Sequence, residues 1–291
     1  MNRTQDLSRR SVLAGAAGAV GTLAVTPLAR AADAERSASG GRIQQSVSKW
    51  CYNRKLEYDE LCRHAAHIGY KAIDLIGRED WPTAKKYGLI ASMCPGSGSI
   101  AKGWNRREHH AQQIDEMKKN IDLTAEAGFP NVICFSGNRD GQSDEEGIRN
   151  CIEGLKQVVG YAEKKGVTIC MEYLNSKVDH KDYAFDHMAY GVAIAKGIGS
   201  ERFGILYDIY HAQIMEGDII RTIRENHAYI KHYHTGGNPG RNEIDETQEI
   251  YYPAIMRAIV ETGFRGFVGQ EFVPKHDPVK ALEDAFRICD V

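Results

Sequence analysis

Residues 204–218 read Gly-Ile-Leu-Tyr-Asp-Ile-Tyr-His-Ala-Gln-Ile-Met-Glu-Gly-Asp, and this stretch indicates how the whole chain is organised. A short apolar run ends on an acid, Asp208, and His211 follows three residues later, before a polar segment that opens a helix. A buried parallel strand delivers a ligand to the rim of an α/β barrel in this pattern. An isolated acid–histidine pair would indicate little, because most such pairs are hydrogen-bonded partners at a protein surface.

Three other apolar runs also end on side chains that can bind a metal ion. They end on Glu172, His234 and Glu271. A single acid at a strand end, such as Asp208, could instead cap the helix that follows it. Four strand ends that carry Glu, Asp, His and Glu favour a shared site. This oxygen-rich set of ligands suits Mg²⁺ or Mn²⁺ better than a structural zinc ion.

From Gln44 onward, an apolar run, a turn and an amphipathic stretch repeat eight times. The first four strands are expected at Gln45–Cys51, Lys71–Ile76, Leu89–Met93 and Asn131–Phe135, followed by the four ligand-bearing runs. The helices are expected near Glu57–Ile68, Trp81–Tyr87, Arg106–Ala127, Asp144–Lys165, Ala184–Lys196, Gly217–Asn226, Tyr252–Glu261 and Pro278–Ile288. Eight such units over residues 42–291 predict a single (β/α)₈ barrel of the α/β class. A doubly wound open sheet would usually carry a Gly-rich phosphate loop after its first strand, and the chain has none there.

The barrel prediction also indicates where the functional site lies. Strands of a barrel point alternate residues inward, so the four ligand-type residues should share the mouth at the carboxyl ends of the strands. The residues two positions earlier should fill the layer beneath them; these are Cys170, Leu206, His232 and Gly269. His232 is therefore expected to be a core histidine rather than a ligand.

Composition and charge narrow the class of protein. The chain has 291 residues, of which 42% are hydrophobic and 26% charged, as in an ordinary globular protein. A net charge of −2 gives no reason to expect nucleic acid or an anionic membrane as partner. The seven cysteines are scattered, include no C-x-x-C and are odd in number, which favours reduced core residues over disulfides.

The first 31 residues carry the pattern of a targeting signal. Arg9 and Arg10 precede a weakly apolar, Ala/Gly-rich run, and Ala29-Arg-Ala31 supplies a small-x-small cleavage pattern. The pattern resembles a twin-arginine export signal, although Val12 stands where Phe is usual and no Lys follows. We therefore expect a signal peptide over 1–31, a linker over 32–41 and a periplasmic or exported protein. A disordered N-terminal arm is the alternative, and the run is too Gly-rich for a good membrane span.

Five motifs of the barrel resemble the xylose isomerase-like superfamily, and most closely its hydroxypyruvate isomerase family. They are Met171-Glu-Tyr-Leu-Asn175, Tyr207-Asp-Ile-Tyr-His-Ala-Gln-Ile-Met-Glu-Gly217, His232-Tyr-His-Thr-Gly-Gly-Asn-Pro-Gly-Arg241, Glu249-Ile-Tyr251 and Gly269-Gln-Glu271. The second motif is very specific to that family. The resemblance covers the second half of the barrel strongly and the first half only in general pattern.

The resemblance implies one divalent metal ion, bound by Glu172, Asp208, His234 and Glu271. It also implies that the two glutamates transfer protons. Positions that match substrate contacts are His211, Arg241 and Trp104; from the sequence alone, His211 could be an ordinary residue at a helix start and Arg241 a solvated arginine. Hydroxypyruvate isomerases tend to carry Gln at the position of His234, whereas ketose 3-epimerases carry His, which leaves the substrate open.

The expected chemistry is proton transfer next to a carbonyl group. A divalent ion that chelates a carbonyl and its neighbouring hydroxyl acidifies the C–H between them, and one glutamate removes the proton while the other returns it. We expect an isomerase of a small hydroxy-keto acid or sugar, such as one that converts hydroxypyruvate to tartronate semialdehyde. A ketose epimerase or a keto-sugar lyase is the alternative, and an exported sugar-binding barrel without turnover is a third. The sequence leaves homo-oligomerisation open.

Overall fold

Nine parallel strands form the centre of the protein, which a computed structural model describes for residues 42–291. The strands are β1 Gln44–Ser48, β2 Ala72–Asp74, β3 Ile90–Ala91, β4 Cys94–Ser97, β5 Asn131–Cys134, β6 Thr168–Glu172, β7 Phe203–Asp208, β8 Ile230–Thr235 and β9 Phe267–Gln270. Their order in the sheet is β3-β2-β1-β9-β8-β7-β6-β5-β4, with every neighbouring pair parallel. The predicted signal peptide and linker lie outside the described residues and stay predictions.

The two ends of this sheet are consecutive in the chain. β3 pairs with β2, β4 pairs with β5, and only Ser92 and Met93 separate β3 from β4. They take the place of the single third strand that the sequence predicted over Leu89–Met93. The prediction of a (β/α)₈ barrel is therefore confirmed, with one correction: the third strand is broken into two short pieces and the barrel is nearly, rather than fully, closed.

Side chains and close packing hold the broken strand in place. The backbone N–H of Ser92 donates to the carbonyl of Ile73, and the amide of Asn131 donates to the carbonyl of Ser92 at 2.9 Å. On the other piece, a Cβ atom at Gly96 would lie 2.0 Å from the carbonyl oxygen of Ile133. Only glycine permits this approach between β4 and β5, where the register of the pair also shifts.

Helices follow most strands and cover the outside of the barrel. They are α1 Tyr58–Ile68, α2 Trp81–Lys86, α3 His110–Ala127, α4 Asp144–Lys165, α5 Met188–Ile198, α6 Ile209–Met215, α7 Ile219–Asn226, α8 Tyr252–Glu261 and α9 Pro278–Cys289, with short 3₁₀ turns at Lys49–Tyr52, Arg107–His109 and His227–Tyr229. None of the helices in residues 42–291 has the length and apolar character to cross a membrane.

The predicted helices and the observed ones agree best where end signals are strong. α4 has the predicted bounds; the Ser143 hydroxyl accepts the N–H of Glu146 at its start, and Gly166 ends it with a left-handed conformation. α5 begins four residues later than predicted, because residues 173–187 form a loop after β6. α6 was not predicted as a separate helix, and it begins directly after Asp208.

The barrel interior contains the predicted layer beneath the mouth. Met93, Ile133, Cys170 and Leu206 form a small apolar cluster, separate from the large core between sheet and helices. His232 is fully buried, as predicted for a core histidine. All seven cysteines are buried and unpaired.

The contact at Gly96 yields a test of the broken strand. Gly96→Ala would place a methyl group against the Ile133 carbonyl, and overpacking of this kind costs about 1–3 kcal/mol of unfolding free energy. Urea denaturation followed by circular dichroism measures this loss. Gly160→Ala is the matched control: it lies inside α4 with no atom within 4 Å of the added Cβ, so it should be neutral or stabilise by up to about 1 kcal/mol. Equal stability of the Gly96→Ala variant and the wild type would contradict the described packing.

Candidate active site

Four of the residues predicted at strand ends converge in the barrel mouth. Glu172 and Asp208 are the last residues of β6 and β7, His234 lies near the end of β8, and Glu271 follows β9. Parallel pairing places Asp208 opposite His234, so the ends of neighbouring strands reach the same level. One ligand atom from each of the four side chains lies within 4.8 Å of the others, and all four residues are buried.

The Asp208 carboxylate performs two structural tasks with its two oxygens. Oδ1 accepts the backbone N–H groups of Tyr210 at 2.9 Å and His211 at 3.2 Å, and so caps the start of α6. Oδ2 faces the cluster and accepts from Arg241 at 2.8 Å. The two explanations that the sequence offered for this acid, a helix cap and a site residue, both describe the structure.

Arg241 lies inside the cluster rather than in solvent. Its guanidinium donates to Asp208 Oδ2 at 2.8 Å and to Glu271 Oε2 at 2.6 Å. The rings of Trp50 and Tyr210 each lie 5.3 Å from the guanidinium carbon, which holds the cation between two aromatic faces. The sequence predicted a substrate contact at this position, and the structure adds a direct ion pair with two of the four strand-end residues.

Burial and charge shift the pKa values of the two glutamates in opposite directions. Burial raises the pKa of Glu172, although the hydrogen bond from His234 opposes this. Burial also acts on Glu271, but Arg241 and His234 outweigh it and lower the pKa of that carboxyl. Two carboxyl groups whose environments separate their pKa values are suited to different roles in proton transfer.

The other two members of the cluster are shifted as well. Burial raises the pKa of Asp208 despite the neighbouring Arg241. For His234, burial alone would lower the pKa, but the Glu271 carboxylate and the hydrogen bond to Asp74 raise it well above its usual value. The described site therefore balances three carboxyl groups against one imidazolium and one guanidinium.

His211 presents a neutral N–H group to the cluster. Its Nδ1 lies 2.6 Å from the amide nitrogen of Asn175, which also donates to Asp179 at 2.7 Å. Since that amide donates, Nδ1 accepts and Nε2 carries the proton. Nε2 is buried without a hydrogen-bond partner, 3.6 Å from Asp208 Oδ2, and burial lowers the pKa of this imidazole well below its usual value. The position suits the predicted contact with a substrate oxygen.

Trp104, the third residue predicted to contact substrate, has a different environment. Its indole is fully buried, its ring packs against His110, and Gly154 of α4 approaches it closely. None of its described contacts involves the four strand-end residues. The structure thus brings His211 and Arg241 to the cluster but not Trp104.

Two residues of the site were missed by the sequence analysis. The Trp50 indole N–H donates to Glu271 Oε1 at 2.5 Å, and the Asp74 carboxylate accepts from His234 at 2.7 Å. Asp74 ends β2, so it carried the same signal as the other strand-end acids. Trp50 lies in the 3₁₀ turn after β1 and is 41% exposed; an aromatic residue beyond a strand end was the only local signal.

The donor set of the cluster fits a divalent cation. Three carboxylates offer oxygen atoms, and His234 offers its buried Nδ1, which lies 2.6 Å from Glu271 and 3.4 Å from Glu172. Hard cations such as Mg²⁺ and Mn²⁺ prefer ligands of this kind. Fold and site together define a class of protein: a parallel α/β barrel with a buried carboxylate–histidine cluster at the carboxyl ends of its strands.

Comparison with known proteins identifies the family within this class. Residues 62–289 match the family model described as xylose isomerase-like TIM barrel, and the chain belongs to that family. A human and a mouse protein named as hydroxypyruvate isomerases are 28% and 25% identical, over 53% and 83% of this chain and 58% and 92% of their own lengths. A 2-oxo-tetronate isomerase of Haemophilus influenzae is 25% identical over 75% of this chain and 89% of its own.

Solved structures share the fold at lower identity. An AP endonuclease, family 2, from Brucella melitensis superposes with a TM-score of 0.72 at 21% identity, over 82% of this chain and 97% of that one. A 3-keto-D-glucoside 4-epimerase from E. coli superposes with a TM-score of 0.70 at 17% identity, over 85% and 100%. At these identities the likeness establishes the barrel fold.

Arg241 gives a test of the charge balance. Arg241→Gln would leave buried carboxylates uncompensated, and breaking a buried ion pair typically costs about 3–5 kcal/mol of unfolding free energy. The loss should be largest at neutral pH. It should shrink as pH falls toward the pKa of Glu271, because protonation removes the negative charge that Arg241 balances. Chemical denaturation between pH 2.5 and 8 in a chelator measures both effects, because the pKa of Glu271 is lowered to about 2.

The control for this experiment is an arginine in an exposed ion pair. Arg224 pairs with Glu261 at 2.9 Å while both side chains are more than half exposed, so Arg224→Gln should cost at most about 1 kcal/mol at any of these pH values. An Arg241→Gln loss no larger than that of the control would show that the guanidinium does not balance the site.

Proposed function

We propose that this chain is a divalent-metal-dependent isomerase of a small α-hydroxycarbonyl compound, with hydroxypyruvate as the model substrate and tartronate semialdehyde as the product. The observation that carries the proposal is the pair Glu172 and Glu271, two buried carboxyl groups within one metal-type donor set. Relatives named as hydroxypyruvate and 2-oxo-tetronate isomerases support the same reaction type.

Glu172, Asp208, His234 and Glu271 would hold the ion, with Mg²⁺ or Mn²⁺ favoured by the three carboxylates. When bound, the ion would polarise the carbonyl and neighbouring hydroxyl of the substrate and so acidify the C–H between them. The protein's own groups would orient the substrate around it. The Nε2–H of His211 and the guanidinium of Arg241 are donors beside the cluster that would contact the substrate oxygens.

The two glutamates would move the proton. β6 and β9 are three strands apart in the sheet, with β7 and β8 between them, so the two carboxylates reach the substrate from different sides. One group, as carboxylate, takes a proton from the carbon that bears the hydroxyl, and the other, as carboxylic acid, supplies a proton to the carbonyl carbon. The hydroxyl proton passes to the former carbonyl oxygen, so carbonyl and hydroxyl exchange positions. Return of the proton to the opposite face of the same carbon would instead give an epimer.

A cavity beside the cluster favours an anionic substrate. It has a volume of about 690 Å³ and is lined by Trp50, Arg54, Lys55 and their neighbours. Trp50 connects the cavity to the cluster through its bond to Glu271. Arg54 and Lys55 are exposed, and their charges would attract the carboxylate of a 2-oxo acid.

A sugar epimerase is the second candidate, and one observation favours it. Strand β8 supplies His234, and a histidine at this position is the feature that the resemblance associates with ketose 3-epimerases. Solved barrels of the same fold also include a D-psicose 3-epimerase and an L-ribulose 3-epimerase. A screen of the metal-loaded chain against hydroxypyruvate, ketoses and keto-sugars separates the two: turnover of 2-oxo acids alone supports the first proposal, and turnover of ketoses alone replaces it with the second.

The proposed metal site is tested by removing one ligand at a time. Asp208→Asn keeps the oxygen that caps α6 and removes the charge, while His234→Ala removes the nitrogen ligand. Each variant should lose most of the Mn²⁺ that the wild type retains after dialysis and still fold, as measured by elemental analysis and circular dichroism. Asp218→Ala, at an exposed acid in an i,i+3 pair with Arg221, is the control and should retain its metal. Metal content equal to wild type in both ligand variants would rule out the proposed metal site.

Proton transfer by the glutamates is tested in D₂O. A carboxylate that exchanges its proton with solvent between the two steps would carry deuterium into the product at the carbon that receives the proton, as read by mass spectrometry or NMR. Glu172→Gln and Glu271→Gln should each lower kcat by at least about 10²-fold. The matched control is Glu261→Gln, at an exposed carboxylate of α8, which should keep wild-type activity. Unlabelled product together with active Gln variants would show that the two glutamates only hold metal.

A further inference from the structure

Asp74 lies directly beneath the proposed metal site and is not one of its four ligands. It is the last residue of β2 and is fully buried. Its Oδ2 lies 2.7 Å from Nε2 of His234 and 2.9 Å from Nε2 of His232, and its Oδ1 accepts the hydroxyl of Ser92 at 2.8 Å. The carboxylate thus accepts from three side chains.

This contact decides which nitrogen of His234 faces the cluster. An ionised carboxylate can only accept hydrogen bonds, so the Nε2 atom that touches it must carry a proton. The opposite nitrogen, Nδ1, then points at Glu271 at 2.6 Å, Glu172 at 3.4 Å and Asp208 at 4.0 Å. In the metal-free protein Nδ1 donates to Glu271, so it is the atom of this imidazole that faces the three carboxylates and would exchange its proton for a metal ion.

The surrounding backbone is shaped to allow this contact. A Cβ atom at Gly269 of β9 would lie 2.5 Å from Asp74 Oδ2 and 2.9 Å from Cδ2 of His234. Any side chain at this position would push the carboxylate and the imidazole apart. The glycine gives the pair room to meet inside the barrel.

The geometry points to Asp74 as a positioning residue that locks His234 in the Nε2–H form and so presents Nδ1 to the divalent ion. The inference rests on the proposed function only for the identity of the ion, because the contact between Asp74 and His234 is a property of the protein itself. Outer carboxylates that orient a histidine ligand typically contribute 10–100-fold to metal affinity.

A second metal ion at Asp74, His232 and His234 is the competing explanation, because these three residues also group closely. The two differ in stoichiometry. A positioning carboxylate predicts one ion per chain, whereas a second site predicts two, with His234 shared between them.

The test compares two substitutions of Asp74 in the full chain. Asp74→Asn keeps an acceptor oxygen and removes the charge, and Asp74→Leu keeps the approximate volume and removes the acceptor. Mn²⁺ affinity, measured by calorimetry after chelation, should fall about 10-fold in the first and about 100-fold in the second. Ser92→Ala, which removes a donor to the other oxygen, should cost less than either. Equal losses in Asn and Leu variants, wild-type affinity in both, or two ions per wild-type chain would overturn the inference.

Nitrogen NMR of the histidines separates this inference from the proposed function. The metal-free wild type, labelled with ¹⁵N-histidine, should show a protected Nε2–H on His234, and the Asp74→Leu variant should lose that protection. A wild type that binds no Mn²⁺ would refute the proposed function. The spectrum would still show whether Asp74 keeps the proton of His234 on Nε2. The inference would be overturned if His234 of the wild type carried its only proton on Nδ1, with or without Mg²⁺.

Discussion

Three carboxyl groups buried within a few ångströms of one another are the constraint on which the rest of the site depends. Two like charges 4 Å apart repel by about 4 kcal/mol at an effective dielectric constant of about 20, so cations must stand among them. Arg241 and His234 fill that role, and each is held from outside. Two aromatic rings hold the guanidinium, and Asp74 holds the imidazole. The negative carboxylates of the cluster are therefore followed by a positive imidazolium, His234, and then by a negative carboxylate, Asp74, in the barrel wall.

Much of the fold could be predicted from local pattern. The amphipathic period and end signals of Asp144–Lys165 and Tyr252–Glu261 predicted both helices with their observed bounds, because the forces that set them act within one element. The break in the third strand could not be predicted. It depends on the approach of Gly96 to the carbonyl of Ile133, a contact between strands that local periodicity does not encode.

The residues of the site likewise include some that could be predicted from the sequence and some that could not. The four strand-end residues could be predicted because the carboxyl ends of parallel strands meet at one edge of a barrel. Asp74 ends β2, but the sequence predicted that strand to continue to Ile76, so this acid was not recognised as a strand-end residue. Trp50 contacts Glu271 across 221 residues of sequence, and no local motif predicts that contact. The loop that carries Arg241 was predicted, but its target was not. A substrate contact was expected, whereas the guanidinium pairs with two site carboxylates, which follows from a charge balance visible only in three dimensions.

The broken third strand has a consequence for how the protein behaves at high concentration. An open sheet exposes two edges whose free backbone groups can pair with another molecule and seed aggregates. Here the two edges are joined by Ser92 and Met93, both fully buried, and the side chain of Asn131 replaces a missing rung by donating to the Ser92 carbonyl. The gap is thereby sealed against strand addition by a neighbouring molecule, although the ring of backbone hydrogen bonds is incomplete. An interruption in the barrel wall need not become a site of intermolecular β-pairing.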